Sequence, residues 1–182
     1  AEQSKAYTPG QNPLASYLRA GKPEGPWVHE LLTPASTIST ELSNTRIALH
    51  VHVFYADLFE QILDCLSVNT VRPDLFLSAP SESVKAELEA LSHKYPGKVI
   101  AIEVVPNKGR DIGPFLSAFI RRHLREYEII GHLHTKKSKD QSNPEVGSVW
   151  YDFLLENLLG KSNPMADVIT SKLVSDPRIG MV

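Results

Sequence analysis

The chain has 182 residues, with 19 Lys and Arg against 21 Asp and Glu and a formal net charge of −2; 42% of residues are apolar and 22% are charged. These proportions exclude a disordered tail, a collagen-like repeat and a disulfide-stapled miniprotein. Near-neutral charge also argues against a nucleic-acid partner, since non-specific attraction to phosphates needs an excess of Lys and Arg.

Residues 1–46 stand apart. Five of the thirteen prolines lie here (Pro9, Pro13, Pro23, Pro26, Pro34), and Ser and Thr are dense from Thr33 to Thr45. A short helix around Leu14–Ala20 followed by an extended linker is the reading of this segment. Trp27, Val28, Leu31 and Leu32 are apolar enough that wrapping around the following domain is the alternative.

From Ile47 the pattern alternates between strand and helix. Ile47–Tyr55 is rich in β-branched and aromatic residues and reads as a buried strand. Asp57–Leu66 puts Leu58, Ile62 and Leu66 on one helical stripe, beside Phe59 and Leu63. Asp74–Ala79 is a second strand. Ser81–Lys94 is a helix, with Val84, Leu88, Leu91 and Tyr95 at helical spacing and Pro96-Gly97 as its stop. Lys98–Val105 is a third strand. A loop, Pro106–Gly113, leads into a helix over Pro114–Leu124, where Pro114 suits a first turn that needs no N–H. Its expected buried stripe is Phe115 and Phe119 with Leu116, Ile120 and Leu124. Glu128–His134 is a fourth strand, followed by a polar loop, Thr135–Glu145. Trp150, Phe153, Leu154 and Leu158 define a further helix ended by Gly160, and Met165, Val168, Ile169 and Leu173 define the last. Ile179–Val182 is expected to begin another strand.

Such alternation implies an α/β fold: a Rossmann-like, mostly parallel sheet with helices on both faces. The expected organisation is a helix and linker segment over 1–46 and one domain over 47–182. Ligands of such sheets sit beyond the carboxyl ends of the strands, where strand order reverses. This directs attention to His50–Tyr55, Val105–Gly113 and His132–Ser138.

Asn107-Lys108-Gly109-Arg110-Asp111-Ile112-Gly113-Pro114 follows a strand and opens a helix. Gly109 and Gly113 permit backbone conformations and close approaches closed to other residues. Free N–H groups at the helix start favour an anion. Arg110 can fork onto a phosphate or carboxylate. Asp111 is either the helix cap, paired with Arg110, or an acceptor for a hydroxyl-rich ligand.

His134-Thr135-Lys136-Lys137-Ser138 lies at the end of the fourth strand. Two lysines with the Thr135 and Ser138 hydroxyls can neutralise and hydrogen-bond a diphosphate without a metal ion. A merely solvated basic loop is the alternative, and location beyond a strand end favours function.

His50 and His52 share one face of the first strand, and His132 and His134 one face of the fourth, by period-two alternation. If those strands are neighbours, four imidazoles converge. HxH is a recurrent metal-ligand spacing, but no acidic partner is visible in the sequence, so hydrogen bonding within a packed sheet is preferred and no metal ligand is assigned. A metal-dependent hydrolase stands as an alternative. Trp150 and Tyr151 could stack on a base or sugar, with core packing of Trp150 preferred. Arg121-Arg122 is a solvated helix end. Cys65, the single cysteine, sits among apolar neighbours and reads as core; it can form no intramolecular disulfide. No apolar run approaches the roughly 20 residues that span a bilayer, and Ala1–Asn12 lacks a secretory core.

His52-Val53-Phe54-Tyr55, Asn107-Lys108-Gly109-Arg110-Asp111-Ile112-Gly113-Pro114-Phe115, His134-Thr135-Lys136-Lys137-Ser138, Trp150 and Leu158-Leu159-Gly160, in order and spacing, resemble the rhamnan-synthesis F protein family of bacterial cell-surface polysaccharide synthesis. The resemblance runs from Ile47 to Val182. Asn12-Pro13-Leu14, Tyr17-Leu18-Arg19-Ala20-Gly21 and Glu24-Gly25 resemble a short segment found beside glycosyltransferase domains in long polysaccharide proteins, which implies that the chain is part of a larger multidomain protein.

The resemblance implies a glycosyltransferase of the GT-A type, with strand order 3-2-1-4, a nucleotide-diphospho-sugar donor (dTDP-rhamnose favoured) and a growing glycan acceptor. A non-catalytic nucleotide-sugar or carbohydrate-binding module is the alternative. It implies His52 and Tyr55 near the base, and Asn107, Gly109, Arg110 and Asp111 near the ribose, diphosphate or donor sugar. GT-A enzymes commonly hold a divalent metal on an acidic DxD motif after the fourth strand. Here His134-Thr135-Lys136-Lys137 occupies that place, so cationic side chains are expected in place of the metal, and no cofactor is assigned. No catalytic base is assigned; Asp111 is a candidate. A GT-A enzyme also needs an acceptor-binding second half, so the chain is expected to be a fragment or a donor-binding half. The implied location is the cytoplasm, including the inner face of the membrane.

Overall fold

The computed structural model describes residues 31–39, 42, 44–123, 125–137 and 144–182, with Arg19 and Gly21 as isolated positions and backbone alone for 144–146. Apart from Arg19, the helix expected over Leu14–Ala20, together with Trp27, Val28, Leu124 and Ser138, lies outside the described residues. Two units are distinguished, Ala1–Leu31 and Leu32–Val182, and the second carries the sheet.

Four strands, β1 (Ile47–His52), β2 (Asp74–Ala79), β3 (Val99–Val104) and β4 (Ile129–His134), form one parallel sheet in the order β3-β2-β1-β4. This is the order implied by the family resemblance. The connecting helices are α1 (Asp57–Ser67), α2 (Glu82–Ser92), α3 (residues 112–123), α4 (Pro144–Leu158) and α5 (Met165–Ser175). No helix among the described residues is long and apolar enough to cross a membrane.

Handedness explains which face each helix covers. Parallel crossovers are right-handed, so β1-α1-β2-α2-β3, stepping one way across the sheet, places α1 and α2 on one face. The chain then returns past β1 to β4, and the same rule puts α3 on the other face.

Side-chain alternation fits both layers. Leu49, Val51 and Val53 with Leu75, Leu77 and Ala79 form the core with Phe59, Ile62, Leu63 and Leu66 of α1, Leu88 of α2 and Leu155 of α4. Full burial of each such side chain is worth about 1.5–3 kcal/mol. The opposite face, Ala48 and Phe76, packs on Phe119 of α3, with Phe115 and Ile120 beside it. Ser81 caps α2 by accepting from the Val84 N–H at 3.4 Å. Cys65 is buried as expected, and burial pushes its thiol up to about 11.

Three expectations are corrected. The central part of α3, Phe115–Ile120, has π-helical winding. Phe115 and Phe119 face the sheet as expected, but Leu116 is half exposed instead of inward. In α4 the buried face is Leu155 with Tyr151, followed by Leu159, so Trp150 is exposed and stacks on Phe153 at 5.6 Å between ring centres. Ile179–Val182 has no strand structure among the described residues; the tail lines a groove beside β4 without joining its ladder. Ahead of β1, Ser39 N–H donates to Ser171 Oγ, which places that residue along α5.

Candidate functional site

Strand order reverses between β1 and β4, since β2 continues from one side of β1 and β4 lies on the other. The carboxyl ends of these two strands are therefore the crevice where a ligand is expected. Their register sets His50 opposite His132 and His52 opposite His134. All four imidazoles lie on the α3 side of the sheet.

Behind this face a chain of polar contacts runs through the sheet. His132 Nδ1 lies 3.0 Å from His50 Nδ1. His50 Nε2 lies 3.1 Å from Ser78 Oγ, which lies 2.9 Å from His52 Nδ1. His132 is stacked between Phe115, at 4.4 Å between ring centres, and His50, at 5.1 Å. Burial, then the neighbouring His132, drives His50 down to about 3. Burial likewise lowers His52 and His132, against an upward pull from Asp111.

Asp111 arrives from the β3–α3 loop. Gly109 and Arg110 both have positive φ, 77° and 52°, and Gly113 N–H donates to Gly109 O at 2.9 Å, closing the turn. A left-handed conformation suits Gly and costs Arg roughly 1 kcal/mol. Gly113 is required by space, because a Cβ there would run into the Lys108 carbonyl oxygen. The turn ends on Asp111, whose side chain does not cap α3. Its Oδ2 instead lies 3.4 Å from His134 Nδ1 and 3.8 Å from His132 Nε2. The expectation that the HxH strings lack an acidic partner is thus corrected: the fold supplies Asp111 from a distant loop. Burial raises this carboxyl, but its own backbone N–H and the three imidazoles outweigh burial and hold it below the usual range.

Thr135 is buried and ties two loops together. Its hydroxyl accepts from Phe54 N–H at 2.9 Å and Tyr55 N–H at 3.0 Å, and its N–H donates to His52 O at 3.0 Å. Lys137 pairs with Asp57 and lies 5.0 Å over the Tyr55 ring. Lys136, Asn107, Gly109 and Arg110 are exposed. The structure therefore joins the end of β1, the Gly109–Asp111 turn and the β4 loop through His134, Asp111, Thr135 and Lys137. Ser78, which joins His50 and His52, was not singled out in the sequence, and Phe115 was read only as buried stripe and family motif; a serine alternating with apolar residues in β2 was the available signal.

A cavity of about 570 Å³ runs along the free edge of β4, lined by Ile129, Leu158, Ile169, Leu173 and Met181 among others, and reaches Phe115 and His132 of the site. Its lining is mainly apolar and includes Glu128 but no Lys or Arg, so it does not suit a diphosphate.

The rhamnan synthesis protein F family model matches residues 16–182. The uncharacterized protein WxcX of Xanthomonas campestris pv. campestris strain B100 is 26% identical over 152 residues, covering 84% of this chain and 21% of that protein. Its counterpart in strain ATCC 33913 aligns to the same extent. The chain thus spans about a fifth of the length of these curated relatives. No solved structure matches it at a significant level. With the family match covering almost the whole chain, this protein belongs to the rhamnan synthesis protein F family, whose description ties it to the synthesis of rhamnose polysaccharide.

Proposed function

We propose that the chain is a nucleotide-sugar-dependent glycosyltransferase domain that serves cell-surface polysaccharide synthesis, passing a rhamnosyl group from dTDP-rhamnose to a growing glycan. The observation that carries this reading is the meeting of the Gly109–Asp111 turn and the β4 loop at the strand-order switch, with Asp111 Oδ2 3.4 Å from His134 Nδ1. Family membership supplies the sugar chemistry. A parallel sheet with this switch point supports a nucleotide site there.

In this reading Arg110 and Lys136, both exposed at the crevice, meet the diphosphate. Asn107 and Gly109 border the ribose or donor sugar. Tyr55, with Lys137 over its ring, borders the base. Thr135 acts by fixing the two loops, since its oxygen already accepts two backbone N–H groups. His52 acts from beneath, through Ser78. Asp111 is the candidate base: a carboxylate held below its usual range, and so ionised near neutrality, that takes the proton of an acceptor hydroxyl.

Isothermal titration of the intact chain with dTDP and with UDP tests the reading. Saturable one-to-one binding, tighter for the preferred base, is expected. No heat from either nucleotide at millimolar concentration overturns it.

A further inference from the structure

We propose that Asp111, His132 and His134 form a binding site for one divalent first-row transition-metal ion. Asp111 Oδ2, His132 Nε2 and His134 Nδ1 converge from two separate elements, and the ligand atoms of the trio all lie within 4.8 Å of one another. Metal bonds of about 2.0–2.2 Å put neighbouring donors about 3–3.5 Å apart, so the trio closes around an ion with side-chain shifts of about 1 Å. Two imidazoles and one carboxylate suit zinc, iron or manganese, and no thiolate is needed.

The second observation is independent of that spacing. His132 Nε2 is buried and has no hydrogen-bond partner among the described residues, although its other nitrogen is engaged. It faces Asp111 Oδ2 at 3.8 Å, beyond hydrogen-bond range. An ion between the two satisfies both.

The contacts behind His132 are those of a metal ligand's support. A ligating histidine usually donates its other N–H to a fixed partner, which sets tautomer and ring orientation. With an ion on Nε2, His132 carries its proton on Nδ1 and donates to His50 Nδ1. His50 then donates from Nε2 to Ser78 Oγ, and Ser78 donates to His52 Nδ1. One direction of donation satisfies the whole chain. Phe115 fixes the His132 ring from its other face. Asp111 is spared from capping α3.

Asp111 and His134 remain partly exposed, with 27% and 40% of their side chains accessible. The open coordination positions thus face the crevice, where water or diphosphate oxygens would fill them. Only that last clause rests on the glycosyltransferase reading. The ion itself does not; with it bound, Asp111 is a ligand and no longer the free base of that reading.

The test is titration of chelator-stripped intact chain with Co²⁺, followed by its visible d–d spectrum, with Zn²⁺ competing. One equivalent of Co²⁺ should bind and be displaced by Zn²⁺. Asp111→Asn and His134→Gln should each weaken binding about tenfold or more, while His93→Gln, outside the site, should leave it unchanged. Zinc-edge X-ray absorption on the unmutated chain should show two imidazoles per ion, a readout that does not depend on any variant folding. Absence of saturable binding below millimolar Co²⁺, or binding unaltered in both site variants, overturns the proposal. A parallel dTDP titration with and without the ion separates the two readings. Metal binding without nucleotide binding sinks only the transferase reading; nucleotide binding without metal binding sinks only the metal site.

Discussion

His50 and His132 face each other across β1 and β4 with their Nδ1 atoms 3.0 Å apart. A contact of that kind needs one proton between two nitrogens, so the two rings cannot both be cationic. This single pairing makes the interior of the sheet acid-sensitive.

The first prediction follows from its sign. Burial and then His132 lower His50 to about 3 in the folded chain, against an ordinary imidazole near ~6.5 when unfolded. Between those values the unfolded chain binds the extra proton and the folded chain does not. Stability is therefore full above pH ~6.5 and falls as pH drops through the window between the two values. His52 and His132, also lowered, act in the same direction. At pH 5, His50 alone should remove about 2 kcal/mol relative to pH 7.5. Urea midpoints of chelator-treated protein at the two pH values check this; equal midpoints would contradict it.

Thr135→Val should destabilise the fold by about 1–3 kcal/mol. The substitution keeps the side chain's shape and removes the oxygen that accepts from Phe54 and Tyr55 N–H. Thr135→Ser should recover most of the loss. Denaturant unfolding of the three proteins measures it.

Much of this arrangement was legible in the sequence. Asp74–Ala79 was found to the residue, and alternation set His50, His52, His132 and His134 on matching faces, because a period of two is enforced by the pleat itself. The partner carboxylate was not legible. Asp111 lies more than twenty residues before His132, and its approach depends on consecutive left-handed residues, one of them an arginine, which no periodicity reports. The winding of Phe115–Ile120 was equally hidden, since the apolar spacing there also fits an ordinary helix. Trp150 was misplaced because α4 is apolar on more than one face, and composition alone could not say which face the sheet would take.

Gly113→Ala should damage the site from a distance. Its Cβ would meet backbone, the Lys108 carbonyl oxygen, so the turn carrying Asp111 must open. A loss of about 1–3 kcal/mol in stability is expected for such overpacking, with nucleotide affinity falling as well. Gly180→Ala, whose Cβ meets nothing within 4 Å, should stay within about 0.5 kcal/mol of the parent. Paired unfolding and titration measurements on the two variants check this.

The two lysines should separate. Lys136 is exposed at the crevice, whereas the charge of Lys137 is already shared with Asp57 and the Tyr55 ring. Lys136→Ala should weaken dTDP binding by about 1–3 kcal/mol, the size of a charge-assisted hydrogen bond. Lys137→Ala should cost less. Equal affinity in the parent and both variants would make the loop a solvated one.

The central claim is that a nucleotide diphosphate occupies the crevice over the ends of β1 and β4. Amide NMR of the labelled chain during a dTDP titration addresses it most directly. The account predicts shifts concentrated at Gly109, Arg110, Asp111 and Gly113, and at Thr135, Lys136 and Lys137. Shifts confined to Ile169, Leu173 and the β4 edge, or no shifts at saturating nucleotide, would contradict it.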